Sequence, residues 1–240
     1  GSTLLQRLIC SDRGVLIWGE PFGDRIPVAR MASIINDVSD SDATIKYSLV
    51  DAGQKLDKEW IANLNPGLSS VRSAHLAYFE TQFARPAFER GYKRWGIKSV
   101  RLSSEYAYYL KWLYPQAQIL YLVRNPLDSY MSYRGNQWYS VRPLFKVDSY
   151  LKFIVHWKVL TRSFLDHNNV GDAFFVKYED LLSDESALDR LNDYLEINID
   201  KGVMEKKVGS STKNRKYTLI HRFVARCLAG RECRLLSYKL

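Results

Sequence analysis

The sequence predicts an α/β fold in which helices cover both faces of a central, mainly parallel sheet. Short apolar runs rich in β-branched and aromatic residues alternate with longer segments whose apolar residues recur at helical spacing. The 240 residues are 46% hydrophobic and contain no low-complexity linker or repeat, which favours a single domain over residues 1–240. No apolar run approaches the roughly 20 residues that a membrane-spanning helix needs.

The predicted elements alternate along the whole chain. In order they are helix 4–9, strand 15–18, helices 28–37, 57–63 and 69–92, strand 95–100, helix 103–113, strand 118–123, helices 126–136 and 147–167, strand 172–177, and helices 188–195 and 217–228. The long helix over 69–92 is expected to be interrupted near Pro86, because proline cannot donate the helical hydrogen bond.

The apolar run over residues 119–123 has the short, β-branched and aromatic character of a buried strand. Arg124 follows it and is therefore expected at the carboxyl end of the strand, where open α/β sheets bind ligands. Pro126 suits the first turn of a following helix, and Ser132 lies about two turns further on. A guanidinium and a hydroxyl together suit a nucleotide phosphate. The plain alternative, of equal weight here, is an arginine that pairs with Asp128 in an ordinary strand-to-helix turn.

The first residues of the chain are typical of half a phosphate-binding loop. This candidate anion site consists of Gly1, Ser2, Thr3 and Leu4. Glycine allows close backbone approach, hydroxyls donate, and the start of a helix favours an anion. A Walker A loop is excluded because no Gly-Lys-Ser/Thr occurs. Gly-Ser pairs also arise as cloning scars, so the segment does not identify a site alone.

The net charge of +9 lies entirely near the end of the sequence. Residues 206–240 contain ten Lys or Arg and one acid, Glu232, so the preceding residues are formally neutral. Such a tail suits an anionic cofactor, a polyanion or an acidic membrane, or is simply a solvated basic segment. The three cysteines have no metal-ligand spacing and fit reduced structural thiols.

Three segments in order resemble the PAPS-dependent sulfotransferase superfamily, namely residues 1–5, 124–132 and 176–182. This family is similar in fold to P-loop-containing nucleoside triphosphate hydrolases. It transfers a sulfuryl group from 3′-phosphoadenosine-5′-phosphosulfate (PAPS) to a hydroxyl or amine, and adenosine 3′,5′-bisphosphate is the product. The resemblance implies that residues 1–4 hold the 5′-phosphosulfate, and that Arg124 and Ser132 hold the 3′-phosphate. It places Tyr178 near the adenine, although a core aromatic at a strand end is the plain alternative.

The same resemblance implies the catalytic residues. In the glycan, trehalose and tyrosylprotein branches, a Gly-Glu pair supplies the general base, and Glu20 follows Gly19 here. Lys98 lies where related enzymes carry a lysine that stabilises charge on the sulfuryl or leaving group, with Arg101 as an alternative. Both cations also suit ordinary surface ion pairs. The histidine motif of the cytosolic branch is absent, and His75 is expected to be a surface or core residue.

The family's C-terminal basic segment covers the 3′-phosphate, which implies roles for Lys213 and Arg215. In the family a strand and a Lys or Arg precede the phosphate loop, and we expect both upstream of residue 1. The Gly-Glu-Pro pattern favours an acceptor hydroxyl on a carbohydrate or glycoconjugate. We expect no metal and no nucleic-acid partner, and the absence of a signal, span or sequon favours the cytoplasm. The oligomeric state is not predicted.

Two other functions remain open from the sequence. A P-loop kinase for a nucleotide or small molecule would share the sheet and the anion loop, but it would need Mg²⁺ and a Walker lysine. A module for nucleic acids or anionic surfaces would use the basic tail, in which aromatic residues such as Tyr217, Phe223 and Tyr238 are interleaved.

Overall fold

A computed structural model describes residues 1–21, 27–40, 57, 66–135, 146–166, 173–205 and 217–240. Its four strands are β1 Val15–Trp18, β2 Arg94–Ile97, β3 Leu120–Val123 and β4 Phe174–Lys177. Its helices are α1 Ser2–Ile9, α2 Pro27–Asp40, α3 Leu68–Phe79, α4 Arg85–Phe88, α5 Ser104–Leu113, α6 Pro126–Gly135, α7 Tyr150–Asp166, α8 Tyr178–Ser183, α9 Glu185–Leu195 and α10 Leu219–Leu235. The helix predicted over 57–63 lies outside the described residues except for residue 57.

The strands form two small parallel sheets rather than the one central sheet that the sequence predicts. β1 pairs with β2, with Val15 opposite Arg94, and β3 pairs with β4, with Leu120 opposite Phe174. Among the described residues, no strand hydrogen bonds join β2 to β3. The sequence pattern identifies apolar strands but does not determine which strands lie side by side, because pairing depends on the path of the helical crossovers.

Helices cover both faces of β3, as predicted. Leu120 and Leu122 pack in a core formed with α1 and α9, whereas Tyr121 and Val123 pack in a second core with α7 and α10. Successive side chains of a strand point to opposite faces, so this alternation places helices on each side. The first core also contains Val15 from β1, so residues of both sheets pack against the same helices.

The interruption expected near Pro86 is present as a change in helix geometry. A π-helical turn over Glu80–Ala84 separates α3 from α4, and Pro86 lies in the first turn of α4. Proline lacks an N–H and crowds the carbonyl four residues earlier, so the backbone widens just before it.

The last helix is longer than predicted and carries the chain back toward the sheets. α10 continues past Gly230 to Leu235, with a non-helical backbone at Ala229 (φ −126°). Buried Ala225 and Cys233 pack it against the second core, where buried Leu236 also lies. Within the described part of the chain, no helix combines the length and apolar composition of a membrane span.

Candidate functional site

The carboxyl ends of β2 and β3 and the start of α1 lie close together. Lys98 follows β2 and Arg124 follows β3, and both cations lie close enough to the backbone nitrogen of Gly1 to interact with it electrostatically. The Glu179 carboxylate lies close enough to act on the same nitrogen. The electrostatics therefore place two cations around the start of a helix, which is an arrangement suited to an anion.

The first turn of α1 supplies backbone donors at this position. The first intrahelical bond runs from the N–H of Leu5 to the carbonyl of Gly1, at 3.0 Å. The N–H groups of Ser2, Thr3 and Leu4 precede it and are not used by the helix. Ser2 is half-buried and Thr3 is exposed. The predicted phosphate loop therefore has backbone donors that the helix does not use, at the helix end near which Lys98 and Arg124 lie.

The Arg124 guanidinium stacks on an aromatic ring, and no carboxylate among the described residues forms an ion pair with it. Its guanidinium carbon lies 4.5 Å from the centroid of the Tyr178 ring. Its Nε is buried without a hydrogen-bond partner, and no ion pair with Asp128 is found in the described part of the chain. The ordinary turn considered from the sequence is therefore not what forms. A buried donor without a partner is costly, and an anionic ligand would satisfy it.

Tyr178 lies between the arginine and the start of α1. A Cβ added to Gly1 would overlap Cδ2 of the Tyr178 ring, so a glycine permits this close approach. One ring thus contacts both the predicted 3′-phosphate residue and the predicted phosphate loop. Whether this ring also reaches an adenine stays a prediction.

The peptide group between Arg124 and Asn125 is fixed on both sides. Trp157 donates from its indole N–H to the carbonyl of Arg124 at 3.0 Å. The N–H of Asn125 donates to Oε1 of Glu179 at 2.9 Å. The side-chain oxygen of Asn125 then accepts from the N–H of Leu127, at 2.9 Å, in the first turn of α6. Sequence reasoning missed Trp157, which resembles an ordinary core residue, and Glu179, whose position after β4 was the only available signal.

Ser132 lies in the second turn of α6 and is half-buried. Its hydroxyl makes no hydrogen bond to another described residue. The helix begins at Pro126, as the sequence predicts, so Ser132 and Arg124 belong to one strand-to-helix element. A shared 3′-phosphate remains a prediction for this pair.

Glu20, Lys98 and Arg101 form a compact charged group at the carboxyl end of the first sheet. The parallel pairing places Trp18 opposite Ile97, so the residues that follow both strands emerge at one edge. Oε1 of Glu20 lies 3.4 Å from Nζ of Lys98, and Oε2 lies 3.8 Å from Nη1 of Arg101. All three side chains are largely buried, with 13–24% exposed. The predicted base thus contacts both candidates for charge stabilisation.

A small recess adjoins the Glu20 carboxylate. It is lined mostly by apolar side chains, with one hydroxyl: Pro21, Pro27, Val28, Ile97, Ser99 and Leu102. The recess has room for about one water molecule, so it does not by itself form an acceptor site.

Among the described residues, His75 does not belong to this charged group. His75 is buried on α3 and shares a 2.9 Å hydrogen bond with the Tyr109 hydroxyl, and burial lowers its pKa, so it is a core histidine. Lys213 and Arg215 lie outside the described residues. Across the ranges that the structure covers, no group of three or more His, Cys, Asp or Glu is arranged to hold a metal ion.

A protein-family model described as a sulfotransferase family matches residues 1–201. The matched region contains the start of α1, the Glu20 group, the Arg124 turn and the β4–α8 junction. The chain matches no curated protein.

Proposed function

Because the chain belongs to the sulfotransferase family, we propose that it transfers a sulfuryl group from PAPS to an acceptor hydroxyl. Arg124 carries the proposal: it is a strand-end guanidinium without a carboxylate partner among the described residues, and it lies near the start of α1. Structural arginines are normally paired, whereas one that is stacked on a ring and keeps a buried unsatisfied N–H suits a phosphate.

The two phosphate groups of the donor would bind at different elements. Arg124, with Ser132 on α6, would hold the 3′-phosphate through charge-assisted hydrogen bonds. The free N–H groups at the start of α1, with the hydroxyls of Ser2 and Thr3, would hold the 5′-phosphosulfate. Tyr178 would lie beside the adenosine that joins them, and Lys213 and Arg215 would close the 3′-phosphate side from the basic tail.

Transfer would take place at the Glu20 group. Glu20 would accept the proton of the acceptor hydroxyl as its oxygen bonds to sulfur, while the bond between sulfur and the phosphate oxygen breaks. Lys98 already contacts Glu20, and it would stabilise the charge that develops on the departing phosphate. Arg101 would keep the Glu20 carboxylate oriented. The products are the sulfated acceptor and adenosine 3′,5′-bisphosphate.

The proposed acceptor is a carbohydrate or glycoconjugate hydroxyl. The Gly19-Glu20-Pro21 sequence supports it through its likeness to glycan-modifying branches of the family.

Binding of adenosine 3′,5′-bisphosphate tests this proposal. We expect the protein to bind it, and we expect Arg124→Ala to weaken binding by about 10- to 100-fold, because a buried charge-assisted contact is lost. Arg190→Ala is the matched control, since Arg190 is exposed on α9 and pairs with Asp184 at 3.4 Å. Isothermal titration calorimetry measures both. Equal affinity in the Arg124 variant, or binding of Mg²⁺–ATP in preference to the bisphosphate, would refute the assignment.

A further inference from the structure

We propose that Glu179 and Tyr238 are positioning residues that hold Arg124 in the geometry for the 3′-phosphate. The inference rests on the proposed function, because it assigns these residues to the same donor site. Glu179 is the second residue of α8, directly after Tyr178, and Tyr238 lies beyond α10. The matched family region ends at residue 201, so Tyr238 reaches this site from outside it.

Glu179 fixes the backbone from which Arg124 extends. Its Oε1 accepts from the N–H of Asn125 at 2.9 Å, while Trp157 satisfies the carbonyl of the same peptide group at 3.0 Å. A peptide group that is bonded at both its N–H and its carbonyl cannot rotate without breaking one of the two bonds. The direction in which the Arg124 side chain leaves the strand is therefore set by these two contacts.

The β4–α8 junction contacts Arg124 at two places, the guanidinium and the backbone peptide group that follows the residue. Tyr178 packs on the guanidinium at 4.5 Å, and the adjacent Glu179 bonds the following peptide. Since the two residues are consecutive, any shift of α8 moves the ring and the carboxylate together. The guanidinium and the backbone of Arg124 are therefore held by the same short segment of chain.

Tyr238 completes the arrangement by holding the carboxylate. Its hydroxyl donates to Oε2 of Glu179 at 2.9 Å, so both oxygens of Glu179 are engaged. Burial and the neighbouring Glu179 raise the pKa of the tyrosine, which keeps it protonated as a donor. Buried Leu236 anchors the segment in the core that also contains Val123, the residue before Arg124. The end of the chain is thus packed against the donor site.

The carboxylate charge itself works against an anion nearby. If Glu179 acted only through its charge, removing that charge would strengthen binding of the bisphosphate. If Glu179 instead positions Arg124, Glu179→Ala should weaken binding of the bisphosphate more than Glu179→Gln does. Glutamine keeps an oxygen for the Asn125 N–H and offers an amide to Tyr238, whereas alanine loses both bonds.

The test compares the affinity for adenosine 3′,5′-bisphosphate with that for adenosine 5′-phosphate, which lacks the 3′-phosphate. We expect Glu179→Ala to reduce this preference by about tenfold or more, and Tyr238→Phe by about three- to fivefold. Glu179→Gln should retain most of it. The double variant Glu179→Ala/Tyr238→Phe should be no worse than Glu179→Ala, because both changes break the same linkage. Calorimetry supplies the affinities, and melting curves report whether each variant is folded.

Two controls separate positioning from general damage. Tyr150→Phe removes a hydroxyl that donates to the carbonyl of His221 on α10, and Asp189→Asn removes an exposed carboxylate on α9 that pairs with Lys201. Both should leave the preference unchanged. A wild-type protein without any preference for the bisphosphate would refute the proposed function and this inference with it. If the wild type prefers the bisphosphate and Glu179→Ala keeps that preference, this inference is wrong while the proposed function stands. If Glu179→Ala does not fold, an unchanged preference in Tyr238→Phe is the result that refutes the inference.

Discussion

The surroundings of Glu20 make its proposed role as the general base testable. The carboxylate is partly buried and lies 3.4 Å from Lys98 and 3.8 Å from Arg101. An ordinary surface ion pair would contribute little to the free energy of folding and nothing to turnover. A base for sulfuryl transfer would instead be indispensable for turnover while adding little to donor affinity.

We therefore expect Glu20→Gln to bind adenosine 3′,5′-bisphosphate like the wild type and to lose sulfuryl transfer by about 100-fold or more. Glutamine preserves shape but cannot accept the proton. Steady-state turnover with PAPS, measured beside calorimetry, separates the two effects. Glu105→Gln is a suitable control because Glu105 is exposed on α5, where it accepts a hydrogen bond from the Ser103 hydroxyl. Full activity in the Glu20 variant would exclude it as the base.

At the scale of elements, the indole of Trp157 joins helix α7 to the turn that follows β3. Trp157 is 8% exposed, and its Nε1 donates to the Arg124 carbonyl. Trp18, at the end of β1, makes an equivalent bond to the carbonyl of Phe83 at 3.1 Å. Both tryptophans thus donate an indole N–H to a backbone carbonyl. The bond from Trp157 supports the proposed 3′-phosphate site, whereas the bond from Trp18 does not.

We predict that Trp157→Phe and Trp18→Phe each lower the free energy of unfolding by about 1–3 kcal/mol, since each leaves a carbonyl without its donor. Only Trp157→Phe should also weaken binding of the bisphosphate. Urea denaturation gives the stability, and calorimetry gives the affinity. An equal loss of affinity in both variants would mean that Trp157 has no particular connection to the site.

The elements also show how far the sequence could be interpreted. Apolar runs and proline placement predicted the strand before Arg124 and the helix from Pro126, because burial and backbone geometry are local properties. The bonds from Trp157 and Tyr238 were not predictable, since they join residues 33 and 59 positions apart in the sequence. The pairing of strands into two sheets was missed for the same reason.

For the whole molecule, the path of the chain brings segments that are far apart in the sequence to one region. All of the excess positive charge lies in residues 206–240, and the described end of that segment packs beside Glu179 and Lys177. The start of the chain reaches the same region through α1. Segments far apart in sequence thus meet around Arg124, which is expected of a site that encloses a doubly phosphorylated ligand. The roles of Lys213 and Arg215 remain predictions.

The most direct test is a crystal structure of the protein with adenosine 3′,5′-bisphosphate bound. We predict that the 3′-phosphate lies within about 3 Å of the Arg124 guanidinium, and that the 5′-phosphate accepts from the N–H groups at the start of α1. A 3′-phosphate that binds away from Arg124, or a 5′-phosphate away from α1, would contradict the proposed donor site.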